Sequence, residues 1–115
     1  MLTIYHNPRC SKSREVLELI NDYKQDVEVV EYLKTPPSAD ELKSIISKLG
    51  ISARQLLRSK EPEYLELGLA DTTLSEAELI AAMVANPKLI ERPIVIDGDK
   101  AVIGRPTTNV LNLIA

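Results

Sequence analysis

The order of elements in the first 33 residues constrains the fold of this chain most strongly. Residues 2–5 predict a short strand, which the turn signal Asn7-Pro8 ends. Residues 11–23 have apolar positions at helical spacing, and residues 27–33 are rich in β-branched side chains, which is typical of a second strand. A strand, a crossover helix and another strand favour a parallel strand pair, so the chain is predicted to begin with a βαβ unit.

The middle of the chain is predicted to be helical, because three serines each begin a capping box. The boxes are Ser38 with Glu41, Ser52 with Gln55, and Ser75 with Glu78. Apolar residues at helical spacing follow the first and the third box, and Asn86-Pro87 ends the region. This pattern predicts a helical block over about residues 38–86.

The pattern changes to that of a hairpin after Pro93. Residues 94–96 and 101–103 predict two strands, which Asp97-Gly98 joins in a tight turn. Pro106 suits the first position of a helix, so a closing helix is expected after it. Without the helical block, the element order is that of a thioredoxin or glutaredoxin core. The predicted fold class is therefore α/β, a single domain over residues 1–115 whose βαβ…ββα core contains an inserted helical subdomain.

Composition excludes several functional classes. The 115 residues suffice for one domain, and 14 basic against 17 acidic residues give a net charge of −3, which argues against a general nucleic-acid-binding surface. No stretch approaches the ~18 apolar residues that span a bilayer, and the N-terminus lacks a signal-peptide pattern. One cysteine and one histidine argue against a bound metal. We therefore expect a cytoplasmic protein with no membrane or nucleic-acid partner.

Cys10 is the first candidate for chemistry. It follows a predicted strand and stands at the start of a helix, where unpaired N–H groups favour a thiolate. Arg9, Lys12 and Arg14 add positive charge within four residues, although a free cysteine is also often a small buried hydrophobic residue. The fourth residue of the motif is Ser13, and a Cys-x-x-Ser motif can start thiol chemistry without resolving it. A redox role would therefore need a second sulfur from another molecule.

One histidine and three arginines are further candidates. His6 lies four residues before Cys10 and can hold positive charge near a thiolate, or be a loop imidazole without a role. Arg58, Arg92 and Arg105 each stand beside a helix end, a proline or a glycine. In a thioredoxin topology the turns of Arg92 and Arg105 can lie beside the first helix, and guanidinium groups suit tetrahedral oxyanions. A solvated surface charge is the alternative for each arginine.

The sequence resembles the glutaredoxin-coupled arsenate reductases, the ArsC family, over essentially the whole chain. The matching segments are residues 4–10 with Ser13-Arg14, Tyr32-Leu33, Pro36-Pro37-Ser38, Glu41-Leu42, Gly50-Ile51-Ser52, Leu56-Leu57-Arg58, Leu67-Gly68-Leu69, Arg92-Pro93-Ile94-Val95 and Arg105-Pro106. They occur in the family's order and spacing. The resemblance implies a thioredoxin-like fold with an inserted helical subdomain and a cis bond before Pro93.

The resemblance also implies a mechanism. The Cys10 thiolate would attack arsenate and form a covalent thioester, glutathione would attack the adduct, and glutaredoxin would complete reduction to arsenite. Arg58, Arg92 and Arg105 match the family's oxyanion-binding arginines. The match extends to a histidine and a serine that support the thiolate, here His6 and Ser13. We expect a monomer without a bound cofactor, with glutathione as co-substrate.

Two other functions stay open at this point. Spx-type transcription regulators, which bind RNA polymerase, share the fold and an Arg-Pro-Ile segment. Many of them carry a Cys-x-x-Cys switch, which Ser13 breaks here, and their pattern lacks an arginine at the position of Arg105. A monothiol glutaredoxin-like protein would act on glutathione mixed disulfides, and this activity would survive loss of all three arginines.

Overall fold

The N- and C-terminal parts of the chain form a four-stranded sheet in the computed structural model, which describes residues 2–115. Its strands are β1 (Leu2–Tyr5), β2 (Val27–Val30), β3 (Ile94–Asp97) and β4 (Lys100–Ile103). The sheet order is β2-β1-β3-β4. β1 pairs with β2 in parallel, as the βαβ pattern predicts, and β3 is antiparallel to both β1 and β4.

Helices on the sheet complete the first of two units, which contains the residues up to Thr35 and Arg92–Ala115. They are α1 (Ser11–Asp22), a 3-10 helix (Thr107–Val110) and α6 (Leu111–Ile114), the last helix of the chain. The buried core of this sheet unit consists of Leu2, Ile4, Val16, Ile20, Val95 and Val110. Apolar residues of β1 and α1 meet there, which is the packing that the helical spacing of residues 11–23 predicts.

The second unit, Pro36–Glu91, is helical. It contains α2 (Ala39–Leu49), α3 (Ala53–Leu56), α4 (Pro62–Glu66), α5 (Glu76–Ala85) and a 3-10 helix (Pro87–Leu89). All three predicted capping boxes are present, at the starts of α2, α3 and α5. The unit extends beyond residues 38–86 because the 3-10 helix and a β-bridge between Leu57 and Ile90 continue it.

Several boundaries differ from the sequence predictions. β2 ends at Val30, because the N–H groups of Lys34 and Thr35 donate to the Glu31 carbonyl and form a turn. Tyr23 follows the end of α1 and is 44% exposed, so it lies outside the core face. Pro106 precedes the closing 3-10 helix as its N-cap instead of opening an α-helix.

The peptide bond between Arg92 and Pro93 is cis, which confirms the prediction, and the bond between Arg105 and Pro106 is cis as well. No helix within residues 2–115 is both long and apolar enough to cross a membrane. That the chain is a single domain stays a prediction.

Candidate active site

Cys10 occupies the N-cap position of α1. Its backbone is extended, with φ −92° and ψ 122°, and its side chain is buried, with 9% exposure. The Cys10 N–H donates to the Asn7 carbonyl over 3.0 Å, so the loop after β1 is closed directly before the helix. The first turn of α1 contains no acidic residue, and none of the described side chains caps it by a hydrogen bond. The free N–H groups at the start of α1 are thus available to the sulfur of Cys10.

The surroundings of Cys10 favour its thiolate. Burial raises the pKa of the Cys10 thiol, but four other groups outweigh it and bring the pKa below the ordinary 9.0. These groups are the backbone N–H of Ser13, the Arg92 guanidinium, the backbone N–H of Lys12 and the Arg105 guanidinium. Helix N-termini and nearby cations both stabilise the negative charge of a thiolate. A lowered pKa increases the share of Cys10 that is present as the thiolate, which is the nucleophilic form of a cysteine.

Arg105 contacts the sulfur directly. Its Nη2 donates to Cys10 Sγ over 3.4 Å, and its Nε donates to the Arg92 carbonyl over 2.7 Å. Two hydrogen bonds from one planar guanidinium hold its orientation. The structure therefore brings Arg92 and Arg105 to Cys10, as the sequence analysis predicts for a thioredoxin topology.

Gly104 allows this approach. A Cβ atom at Gly104 would lie 2.6 Å from Val16 Cγ2 on α1, which is closer than real Cβ atoms come to a neighbour. It would also lie 3.0 Å from Pro93 Cγ, which is tighter than most Cβ contacts. Its N–H donates to the Pro93 carbonyl over 2.9 Å. Only glycine lets the turn after β4 pack this closely against α1 and Pro93, and the next residue is Arg105.

His6 and Ser13 form a buried pair that connects the loop after β1 to the first turn of α1. His6 Nδ1 lies 2.6 Å from Ser13 Oγ, which also accepts a hydrogen bond from the Asn7 N–H over 3.0 Å. Burial lowers the pKa of His6 from 6.5, Glu31 raises it and Arg14 lowers it. Burial therefore disfavours the positive charge on the imidazole that the sequence allows. The role of His6 beside the thiolate stays a prediction.

Arg58 belongs to the helical unit. Its Nη2 pairs with Glu61 Oε1 at 2.9 Å, and its Nη1 donates to the Lys88 carbonyl over 3.1 Å. The side chains of Arg58 and Glu61 are only 17% and 23% exposed, so the ion pair is well shielded. Arg58 is thus a fixed, partly buried arginine and not a solvated surface charge. Its role in binding an oxyanion stays a prediction.

Two interactions around Cys10 were not predicted from the sequence. Lys12 pairs with Glu15 at 3.5 Å, so one of the three nearby positive charges is offset. Asn109 donates from Nδ2 to the carbonyls of Ile103 and Arg105, both over 3.1 Å, and so holds the turn that carries Arg105. The i, i+3 spacing of Lys12 and Glu15 is a readable signal. The sequence contains no such signal for Asn109, because the two carbonyls that it contacts come together only once the turn is folded.

Fold and site together define the class of this protein: it has a thioredoxin-like fold with one thiolate-favouring cysteine at a helix start and two arginines beside it. The sequence profile of the ArsC family matches residues 5–113. The chain belongs to the ArsC family.

Close relatives cover nearly the full length of the chain. The uncharacterized protein YfgD of Escherichia coli is 56% identical over 112 residues, which are 96% of this chain and 94% of that protein. The arsenate reductase of Neisseria meningitidis is 48% identical over 110 residues, or 95% of this chain and 94% of the relative. The solved structure of the arsenate reductase from Vibrio cholerae superimposes with a TM-score of 0.95 at 48% identity, covering 99% and 97% of the two chains.

Proposed function

We propose that this protein is an arsenate reductase that uses Cys10 as its nucleophile and takes its electrons from glutathione and glutaredoxin. The observation that carries the proposal is the 3.4 Å contact of Arg105 Nη2 with Cys10 Sγ, which sets a cation beside the attacking atom. Family membership and the names of the relatives support arsenate as the oxyanion.

In the first step the Cys10 thiolate attacks arsenic(V), an S–As bond forms, and one arsenate oxygen leaves as water after taking up protons. The arginines lower the barrier by offsetting the negative charge that the thiolate and the oxyanion bring together. Arg92 and Arg105 act from the sheet unit. We propose that Arg58 supplies a third guanidinium, as the family resemblance implies.

Ser13 and His6 would support the thiolate before attack. When His6 Nδ1–H donates to Ser13 Oγ, that oxygen accepts two hydrogen bonds, since the Asn7 N–H also donates to it. The hydroxyl proton of Ser13 is then available to the sulfur of Cys10. A neutral His6 serves this arrangement through its hydrogen bond rather than through charge.

The second half of the reaction needs sulfur from outside the chain, because Cys10 is its one cysteine. Glutathione attacks the adduct and replaces a second oxygen, which leaves as water. A glutaredoxin thiolate then attacks the glutathione sulfur, which forms a mixed disulfide as two electrons pass to arsenic. A water molecule then displaces the Cys10 sulfur from arsenic(III), which releases arsenite with three oxygens and restores the Cys10 thiolate. The cytoplasmic location and monomeric state stay predictions alongside this scheme.

The test is a coupled assay with purified protein, arsenate, glutathione, glutaredoxin and glutathione reductase, followed by NADPH consumption. We expect turnover that needs every component and is absent in Cys10→Ser. A silent assay, with Cys10 shown to be reduced and open to alkylation, would overturn the proposal. Activity on a glutathionylated peptide that survives loss of all three arginines would instead identify a monothiol glutaredoxin-like protein.

A further inference from the structure

Asn109 ties together the two ends of the turn that carries Arg105. It lies in the 3-10 helix Thr107–Val110, half-buried, and its Nδ2 donates to the carbonyls of Ile103 and Arg105 over 3.1 Å each. These carbonyls flank Gly104. One side-chain amide therefore closes the turn between β4 and the 3-10 helix.

The turn is also attached to the segment before β3. The Gly104 N–H donates to the Pro93 carbonyl over 2.9 Å, and Arg105 Nε donates to the Arg92 carbonyl over 2.7 Å. Both of these bonds connect the turn to the segment before β3. Asn109 adds a hydrogen bond to the backbone of Arg105 itself, so its loss would weaken the attachment of that backbone.

We propose that Asn109 is a positioning residue for Arg105, holding the Ile103–Arg105 turn so that the guanidinium stays in contact with the Cys10 sulfur. The inference rests on the proposed function in one respect, namely that Cys10 is the reacting atom. It deepens that function by adding a residue that contacts neither thiol nor substrate.

The most direct route from Asn109 to the thiolate runs through Arg105, whose carbonyl Asn109 holds and whose Nη2 contacts the sulfur. The Asn109 amide carries no charge, and the charged side chains that act on the Cys10 thiol are Arg92 and Arg105. His6 is the nearby titratable group, held against Ser13, and Glu31 and Arg14 act on His6. We therefore expect a change in thiol reactivity caused by Asn109 to appear as a weakened contribution of Arg105.

The experiment measures alkylation of Cys10 by iodoacetamide against pH, which reports on this one sulfur because the chain has a single cysteine. In Asn109→Ala we expect the midpoint of the pH profile to move up. The rate at pH 7 should fall about fivefold, the size of effect that one hydrogen bond supplies. The matched control is Asn112→Ala, an exposed asparagine three positions further along, which should leave the profile unchanged.

A double variant separates positioning from general damage. Arg105→Met removes the cation, so adding Asn109→Ala to it should change the alkylation rate no further. The same fivefold loss in the Arg105→Met background would overturn the inference, as would an unchanged profile in Asn109→Ala. If Asn109→Ala does not fold, Asn109→Leu keeps a side chain of similar size without the donor and should give the same loss.

Alkylation and arsenate turnover can fail independently. A shifted alkylation profile together with a silent arsenate assay would support the role of Asn109 and overturn the proposed function. Arsenate turnover together with an unchanged alkylation profile in Asn109→Ala would keep the proposed function and overturn the role of Asn109.

Discussion

Helices begin differently in the two units. In the helical unit α2, α3 and α5 each start with a serine whose Oγ accepts a hydrogen bond from the N–H three residues on. The side chain of the glutamate or glutamine at that position accepts a hydrogen bond from the serine N–H. In the sheet unit α1 starts with Cys10, in the same extended backbone conformation but with a sulfur where the others have an oxygen. The first turns of α2 and α5 also contain acidic residues, and that of α1 contains none.

The difference separates helix starts that stabilise the fold from one that serves chemistry. A capping box satisfies the free N–H groups of a helix and offsets its positive end. At α1 the N–H groups of Lys12 and Ser13 instead lower the pKa of the Cys10 thiol. A glutamate in that first turn would cancel the effect by repelling both a thiolate and an oxyanion. The N-terminus of α1 in the sheet unit thus keeps its partial positive charge.

Cys10→Ser breaks the comparison most completely, because it gives α1 the same N-cap residue as α2, α3 and α5 of the helical unit. We expect alkylation and arsenate-dependent turnover to be abolished, since no S–As bond can form. The free energy of unfolding should stay the same or rise by up to about 1 kcal/mol, because serine is a better N-cap than cysteine. Turnover assays and urea titrations check both expectations.

The control for this prediction is Ser38→Ala in the helical unit. It should lower the free energy of unfolding by about 1 kcal/mol through loss of the cap and leave alkylation of Cys10 unchanged. Retained turnover in Cys10→Ser would contradict the covalent mechanism.

Arginine substitutions in the two units sharpen the comparison. Arg105→Ala removes the donor at the sulfur, and we expect kcat/KM for arsenate to fall about 100-fold, as for loss of one oxyanion donor. Arg92→Ala should act in the same direction. Arg54, in the helical unit, donates to the carbonyls of Leu69 and Asp71 and so connects α3 to the loop after α4.

Arg54→Ala should therefore lower stability by roughly 1–3 kcal/mol and leave kcat/KM nearly unchanged, because the lost bonds are structural. Steady-state kinetics and urea titrations of Arg105→Ala and Arg54→Ala test this contrast. If both variants lost kcat/KM equally, arginine placement beside Cys10 would have no special role.

Gly104 in the sheet unit and Gly50 in the helical unit are required for different reasons. Gly104→Ala would push a Cβ against Val16 and Pro93, and overpacking of this kind costs about 1–3 kcal/mol. Because the turn carries Arg105, alkylation of Cys10 should slow as well. Gly50 ends α2 with φ +68° and has open space around its Cα. Gly50→Ala should cost about 1–2 kcal/mol through the left-handed backbone alone, without slowing alkylation.

Chemical unfolding and iodoacetamide kinetics on the two glycine variants provide the measurement. Normal alkylation in a destabilised but folded Gly104→Ala would show that the turn tolerates displacement without loss of the Arg105 contact.

The smallest effect concerns pH. Burial lowers the pKa of His6 from 6.5, so the unfolded chain takes up a proton at this residue more readily than the folded chain. The stability due to His6 is complete above pH 6.5 and is lost as pH falls through the lower folded pKa. Urea midpoints measured from pH 7.5 down to pH 5 should show this loss in the wild type and a smaller loss in His6→Gln. Equal slopes would mean that the histidine titrates alike in both states.

Local patterns were sufficient for the elements and for the candidate nucleophile. Apolar spacing and β-branched runs predicted β1, α1 and the β3–β4 hairpin, and serines with a partner three residues on predicted the starts of α2, α3 and α5. Cys10 could be found in the same way, because a strand, a turn and a helix start follow one another within a dozen residues. Family resemblance added the three arginines and the cis bond before Pro93, which position alone left open.

Tertiary structure alone decided how the site is assembled. Arg105 and Cys10 are 95 positions apart, and their contact depends on the pairing of β1, β3 and β4 and on the missing side chain of Gly104. The lowered pKa of His6 and the hydrogen bonds of Asn109 to the turn likewise depend on burial and on partners that folding brings together. Periodicity and capping are encoded between near neighbours, whereas strand register and close packing are set by residues far apart in the chain.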